Sequence, residues 1–282
     1  MLLPITRKCN QKCLFCSVGD WKELVKMPTS REFLKWLIYQ AKDGLTISGG
    51  EPTLSPNFLW AIEYARQGQI PVEVQTNSLT FSRKGFADSA VKAGADYFSV
   101  NFPSHISKIN DQITRANGSF KKRMLGIKNL QRHNVRICLT HVICSLNYKH
   151  LEEFIAFVKN NFSAGTFIQF NFLKIMGFAA KNKQVLLSYE NVIPYFLSAL
   201  SKCKELGIDF VIDNMPICYF KNFNEHHIDV QKISRGEKLT YSLYEREKLN
   251  RCAGCRLSSR CCGVDKDYLR FFGKKSAVRP VR

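Results

Sequence analysis

Short apolar runs rich in β-branched and aromatic residues alternate along the chain with segments whose apolar positions recur every three to four residues. The runs at 2–5, 45–48, 71–75, 97–101, 135–142 and 166–172 predict strands. Between the first two lies TSREFLKWLIYQAKDG, in which Thr29 and Glu32 form a capping-box pattern. Phe33, Leu34, Leu37, Ile38 and Ala41 make an apolar face there, and Gly44 supplies a stop. Similar periodicity predicts helices at 54–67, 83–93, 119–133, 148–160 and 189–206. Each helix follows a strand, so the order is β-α six times, which implies a parallel sheet covered by helices. Six such units make an α/β fold of the partial (βα)6, TIM-like barrel type rather than a closed eight-stranded ring.

A further strand at 208–213 leads into MPICYF, and there the rhythm stops. From about residue 214 the chain is polar, basic and cysteine-bearing. The predicted division is a barrel over 1–210 and a small C-terminal cysteine-rich extension over 211–282. An extension so poor in apolar residues is expected to depend on metal binding for part of its folding free energy.

Composition changes the picture chiefly through cysteine and charge. The 282 residues include eleven cysteines, an odd number that suits a disulfide framework poorly. Three fall within 9–16 and four within 252–262. No run approaches the roughly 20 apolar residues of a membrane span, and the N-terminus lacks the apolar core of a secretory signal. A cytoplasmic protein with no membrane association is expected, and in a reducing compartment clustered thiols point to metal. Lys and Arg number 42 against 23 acidic residues, a net charge of +19. The stretch 121–136 contains no acid, and 232–282 carries fourteen basic against five acidic residues. Such a surface suits nucleic acid or an acidic protein, or is simply solvated. Without a recognised nucleic-acid-binding motif, nucleic acid is possible but not favoured.

Cys9, Cys13 and Cys16 follow the first strand with the spacing C-x3-C-x2-C, at the strand end where α/β folds bind ligands. A structural zinc needs a fourth ligand, and neither Cys nor His follows until His105. A 4Fe–4S cluster on three thiolates leaves one iron open to a small molecule. With Phe15 before the last cysteine, the motif resembles that of the radical S-adenosylmethionine (SAM) superfamily. SGGEPTL at 48–54 is similar to that family's GGEP motif, placing Gly49, Gly50, Glu51 and Pro52 at the cofactor. VQTNS at 74–78 resembles its T-N-G segment, with Asn77 retained and Ser78 replacing glycine. FSVNFP resembles an S-x-D-G pattern, with Ser99 retained and Asn101 where Asp is usual. DQITRANGSF makes Arg115 the expected partner of the SAM carboxylate, and Asn147 matches a polar SAM-contacting position. Surface charge and helix capping are the alternative readings of these last two.

CAGCRLSSRCCG resembles the core of the auxiliary-cluster extensions called SPASM and twitch, with Asp265 at the position of the last cysteine. The resemblance implies one auxiliary 4Fe–4S cluster on Cys218, Cys252, Cys255 and Cys261, with Cys262 a spare or a substitute for Cys261. A four-cysteine zinc site remains the alternative. Cys138 and Cys203 read as small buried apolar residues. Cys144, near the end of the fifth strand, is a candidate hydrogen donor if it faces the barrel mouth, and His141 nearby reads as structural.

The resemblance thus implies an enzyme that cleaves SAM to a 5′-deoxyadenosyl radical and takes hydrogen from a substrate. The substrate would be a peptide or a small-molecule precursor of a natural product or cofactor. Too little chain precedes Cys9 for a leader-binding domain, so a separate recognition protein is expected for a peptide. An acidic flavodoxin or ferredoxin is the expected electron donor, and would account for the basic surface. The alternatives are an RNA-modifying radical SAM enzyme and, in another class, a non-catalytic zinc-stabilised nucleic-acid-binding protein.

Overall fold

The computed structural model describes residues 1–19, 30–237, 239 and 244–282. Its strands are β1 (Leu2–Pro4), β2 (Leu45–Ser48), β3 (Val72–Thr76), β4 (Tyr97–Asn101), β5 (Arg136–Ile143), β6 (Phe167–Phe172) and β7 (Phe210–Asp213). They form one sheet in sequence order, β1 to β7, so the predicted strand at 208–213 joins the sheet. The principal helices are α1 (Arg31–Gln40), α2 (Phe58–Gln67), α3 (Phe86–Ala93), α4 (Ser107–Thr114), α5 (Ser119–Leu130), α6 (Leu151–Asn161), α7 (Phe178–Lys181), α8 (Tyr189–Leu206) and α9 (Ile228–Ser234). Ser30 is the N-cap of α1 and accepts a bond from the Phe33 amide, while Thr29 of the expected capping box lies outside the described residues. Among the described residues no helix is long and apolar enough to cross a membrane.

The chain divides into two compact units. The first comprises Met1–Leu14, Asp20–Thr140 and Asn161–Phe167. Its strands pair in parallel, with Leu3 opposite Ile47, Ile47 opposite Val74, Val74 opposite Phe98, and Phe98 opposite Ile137. Because successive strand side chains alternate between faces, this register stacks those apolar residues on the face that the helices cover. Leu34, Ile38, Ala61, Ile62, Ile127 and Leu130 meet them and are essentially buried. The opposite face receives Thr46, Glu73, Ser99 and Cys138. There Glu73 binds both strand neighbours, accepting from the Thr46 hydroxyl at 2.9 Å and from the Ser99 hydroxyl. One face of the sheet is thus core and the other is polar.

The second unit comprises Phe15–Gly19, His141–Asn160 and Ile168–Arg282. The cysteine-rich extension belongs to the same unit as β6, β7 and α8. Aromatic stacking and one buried cation are the reason. The rings of Tyr189 on α8 and Tyr268 stack 3.7 Å apart, and the Tyr189 amide donates to the Tyr268 hydroxyl at 2.9 Å. Arg246 opens the short hairpin of Arg246–Glu247 with Val264–Asp265. It reaches Asp229 on α9 at 2.9 Å and Asp213 at the end of β7 at 3.2 Å. Asp265 caps the helix Lys266–Phe272 by accepting from the Asp267 and Tyr268 amides, so the residue at the missing cysteine position has a backbone role.

His227 joins α9 to β7. It is fully buried, its Nε2 donates to the Met215 carbonyl at 2.7 Å, and its Nδ1 accepts from the Asp229 amide at 3.1 Å. Burial is the largest influence and holds its pKa below the usual imidazole value, against the opposing pull of Asp229. The unfolded chain therefore takes up a proton that the folded chain refuses, and stability present above pH ~6.5 is lost as pH falls. Chemical denaturation between pH 7 and pH 5.5 is expected to show this loss, by at most about 1.4 kcal/mol per pH unit from this one group. His227→Gln keeps a donor for the Met215 carbonyl without the titration and is expected to flatten the profile. An equal slope in both proteins would assign the effect to carboxylates.

Candidate active site

The GGEP turn and the cysteine loop are built against each other. Gly50 donates its amide to the Thr6 carbonyl and Glu51 donates to that of Lys8, each at 2.8 Å. A Cβ on Gly49, which has φ +145°, would lie 2.3 Å from the Thr6 oxygen. One on Gly50 would lie 2.4 Å from that of Lys8. The glycines therefore let the backbone leading into Cys9 approach. Pro52 starts the short turn after them and is buried.

Glu51 anchors this clasp from below. Its carboxylate is buried and accepts from the Thr53 hydroxyl, the Thr76 hydroxyl and the Asn77 amide, each at 2.7 Å. Burial raises its pKa and these donors oppose the rise. Asn77 continues the chain of contacts: its Nδ2 donates to Asn10 Oδ1 at 2.7 Å and lies 4.0 Å from Cys9 Sγ. Ser78, at the family's glycine position, has φ +60°, the left-handed region that explains a preference for glycine there. Gly126 on α5 lets that turn sit close, since a Cβ would meet the Ser78 carbonyl at 2.2 Å.

Cys9 is exposed and Cys13 half-buried, both in the first unit, and Cys16 is half-buried in the second. The Cys16 carbonyl accepts from the Phe178 amide at 2.8 Å. Gly177, at φ +57°, fits under it, where a Cβ would come within 2.7 Å. Two buried donors lie by the loop: among the described residues, Gln11 Nε2 and Arg123 Nε have no hydrogen-bond partner. Thiols beside unsatisfied donors fit an anionic thiolate–sulfide centre. Asn101 Oδ1, at the end of β4, is a buried acceptor without a partner among the described residues, which fits a hydroxyl-bearing ligand.

Other expected contacts have different surroundings. Ser99 donates to Glu73. Arg115 is exposed at φ +52° and closes α4, its amide donating to the Asp111 and Gln112 carbonyls. Asn147 accepts from the Cys144 amide and donates to the Val142 carbonyl, both at 2.8 Å, so its side chain holds its own turn. Cys144 does not open onto a mouth: it is fully buried, and burial pushes its thiol up to about 12.

In the second unit, Cys218, Cys252, Cys255 and Cys261 line one cavity, and Cys262 is not among its walls. Cys262 is buried beside Arg246, whose charge it influences. Backbone amides point at three of the four sulfurs. Arg279 donates to Cys218 at 3.2 Å, Val281 to Cys255 at 3.3 Å and Gly263 to Cys261 at 3.3 Å. Burial, the larger influence, raises the thiol pKa of Cys218 to about 11 and also that of Cys261, and these donors oppose the rise by favouring thiolates. Among the described residues no group of three or more His, Cys, Asp or Glu side chains is gathered closely enough to hold a metal ion.

An open parallel sheet with a glycine-clasped three-cysteine loop after its first strand defines a class of iron–sulfur enzymes that use SAM. The model of the radical SAM superfamily matches residues 3–158, more than half of the chain, and the chain belongs to that superfamily. It is 23% identical over 151 residues to Fe-coproporphyrin III synthase of Methanosarcina barkeri (52% of this chain, 37% of that protein). It is 26% identical over 172 residues to the sporulation killing factor maturation protein SkfB of Bacillus subtilis (59% and 40%). The chain thus spans about two fifths of the length of these two relatives. Streptococcus suis SuiB bound to S-adenosylmethionine superposes with a TM-score of 0.65 at 14% identity, over 100% of this chain and 75% of that one. SuiB bound to precursor peptide SuiA gives 0.60 at 15%, over 76% and 48%. The protein is an enzyme of a family that uses a 4Fe–4S cluster and SAM.

What sequence reasoning missed is Arg123 and Gln11, because burial of a polar or charged side chain leaves no local signal. The clasp yields a direct test. In Glu51→Gln, whichever carboxylate oxygen becomes NH2 faces a backbone amide that can only donate, that of Thr53 on one oxygen or that of Asn77 on the other. The isosteric change is expected to cost about 1–3 kcal/mol of stability, read as a lower melting temperature. An unchanged melt would mean that the four donors do not depend on the charge.

Proposed function

We propose that this protein is a radical SAM oxidoreductase that modifies a peptide, with Cys9, Cys13 and Cys16 holding the SAM-binding cluster and an auxiliary 4Fe–4S cluster on Cys218, Cys252, Cys255 and Cys261. The observation that carries the reading is the second cysteine set. Four thiols on one cavity, three of them addressed by backbone amides, form a second thiol cluster in residues that follow the matched family region. The similarity to a maturation protein, and to an enzyme solved with its precursor peptide, supports the peptide class.

When bound, the cluster and SAM supply the electron and the 5′-deoxyadenosyl radical that removes hydrogen from substrate. This chain's residues do the rest. Gly49 to Glu51 fix the backbone around Cys9, Asn77 braces Asn10, and Asn101 offers an acceptor for a ribose hydroxyl. Arg115 and Asn147 are the remaining candidates for the methionyl carboxylate and the nucleoside. The polar strand face bearing Glu73 and Ser99 would receive substrate. An acidic electron donor fits the cysteine-loop side: a cavity of about 480 Å³ adjoins Asn10, with Arg83 and Lys122 among its walls, and opposite potentials speed such encounters.

Anaerobically reconstituted protein with SAM and dithionite is expected to form 5′-deoxyadenosine, and replacement of Cys9, Cys13 and Cys16 by Ala to abolish it. Product from the triple variant would overturn the ligand assignment. Replacing Cys252 and Cys255 by Ala is expected to halve the iron, from about eight atoms to about four on the four-iron rule, while leaving some SAM cleavage. Zinc in the parent protein, or unchanged iron in the variant, would overturn the auxiliary cluster. For the substrate, extracts of cells with and without the enzyme are compared by mass spectrometry. An oxidised peptide supports the proposal, and a modified RNA nucleoside or tetrapyrrole contradicts it.

A further inference from the structure

Arg123 lies in the acid-free basic stretch, yet among the described residues it is one of the largest fully buried side chains. Its position on α5 points it at the cysteine loop. Nη2 donates to Gln11 Oε1 at 3.3 Å, and the same oxygen lies 3.7 Å from Cys13 Sγ. Nη1 donates to Asn110 Oδ1 on α4. Both hydrogen-bond partners are neutral amides, and Nε has no partner among the described residues. Burial lowers its pKa to about 10 against the opposing influence of Cys13, Asp111 and Glu51, so it remains a cation at neutral pH.

A buried cation without a close counter-charge is costly, by several kcal/mol before compensation. The nearby acids are already engaged. Asp111 accepts from the Gly118 and Phe120 amides and the Ser119 hydroxyl, and Glu51 is held in the clasp. A centre on three thiolates brings negative charge to the other side of Gln11. Reduction adds one more negative charge, so a fixed cation stabilises the reduced form more than the oxidised one. Net charge around such a centre is one of the factors that set its potential.

We propose that Arg123 is a positioning residue that raises the reduction potential of the SAM-binding cluster, its buried positive charge held toward Cys13 through Gln11 and Asn110. The inference rests on the cluster being the one that Cys9, Cys13 and Cys16 hold. The step it affects is the entry of one electron from an external reductant into that cluster, with no bond made or broken.

The test is an EPR-monitored redox titration of the reconstituted full chain, following the reduced signal that changes when SAM is added. Arg123→Met and Arg123→Gln remove the charge, and Arg123→Lys keeps it. The two neutral variants are expected to titrate at a more negative potential. A tenfold change in the reduction equilibrium corresponds to about 59 mV for one electron, and a shift of that order is the expected size. Arg123→Lys is expected to remain near the parent. Neutral variants with the parental potential, or a Lys variant shifted as far as they are, would overturn the proposal. So would neutral variants that fail to fold while the Lys variant behaves as the parent, since the charge would then serve the fold. A parent protein with no SAM-responsive signal would instead overturn the cluster assignment itself.

Discussion

Two backbone hydrogen bonds, Gly50 to Thr6 and Glu51 to Lys8, determine where the first cysteine stands. They form only because positions 49 and 50 lack a Cβ, and because Glu51 sits in a pocket of donors that keeps the turn from relaxing. Through Thr76 and Asn77 the same carboxylate reaches the end of β3, and through Asn77 it reaches Asn10. A loop bearing three thiols is in this way tied to β2 and β3. The neighbouring α5 comes close enough to bring Arg123 to the loop because Gly126 lets it pass the Ser78 turn.

The two units meet the cost of buried charge differently. Around the cysteine loop, Glu51 is surrounded by neutral donors and Arg123 by neutral acceptors, so each keeps a field that a bound charged group feels. In the second unit Arg246 is matched directly by Asp229 and Asp213, an arrangement suited to joining elements rather than to influencing a ligand. Removing one member of such a buried pair typically costs about 3–5 kcal/mol. The extension therefore depends on β7 and α9 as well as on whatever metal its thiols take.

The strands at 45–48 and 97–101 and the helix at 189–206 were legible to the residue, because alternation and 3.6-residue periodicity are local signals. The helix α4 was not, since its buried face includes Asn110 and Thr114 and so breaks the apolar period. The cysteine spacing and GGEP stood out as a pattern, but the reason for the glycines did not: what a missing Cβ makes room for is set by residues forty positions away. Arg123 read as part of a solvated basic stretch for the same reason. That the extension shares a unit with β7 and α8 was not legible, because the Tyr189–Tyr268 stack and the Arg246 ion pairs are contacts between distant parts of the sequence.

The central claim is that the clasped cysteine loop carries a cluster with an iron available to SAM. It is tested most directly by EPR of the anaerobically reconstituted, dithionite-reduced protein with and without SAM. The account predicts that SAM alters the signal of one cluster, and that this response disappears in the Cys9, Cys13 and Cys16 triple variant while any auxiliary-cluster signal persists. A spectrum indifferent to SAM in the parent protein, or a SAM response that survives loss of those three thiols, would contradict it.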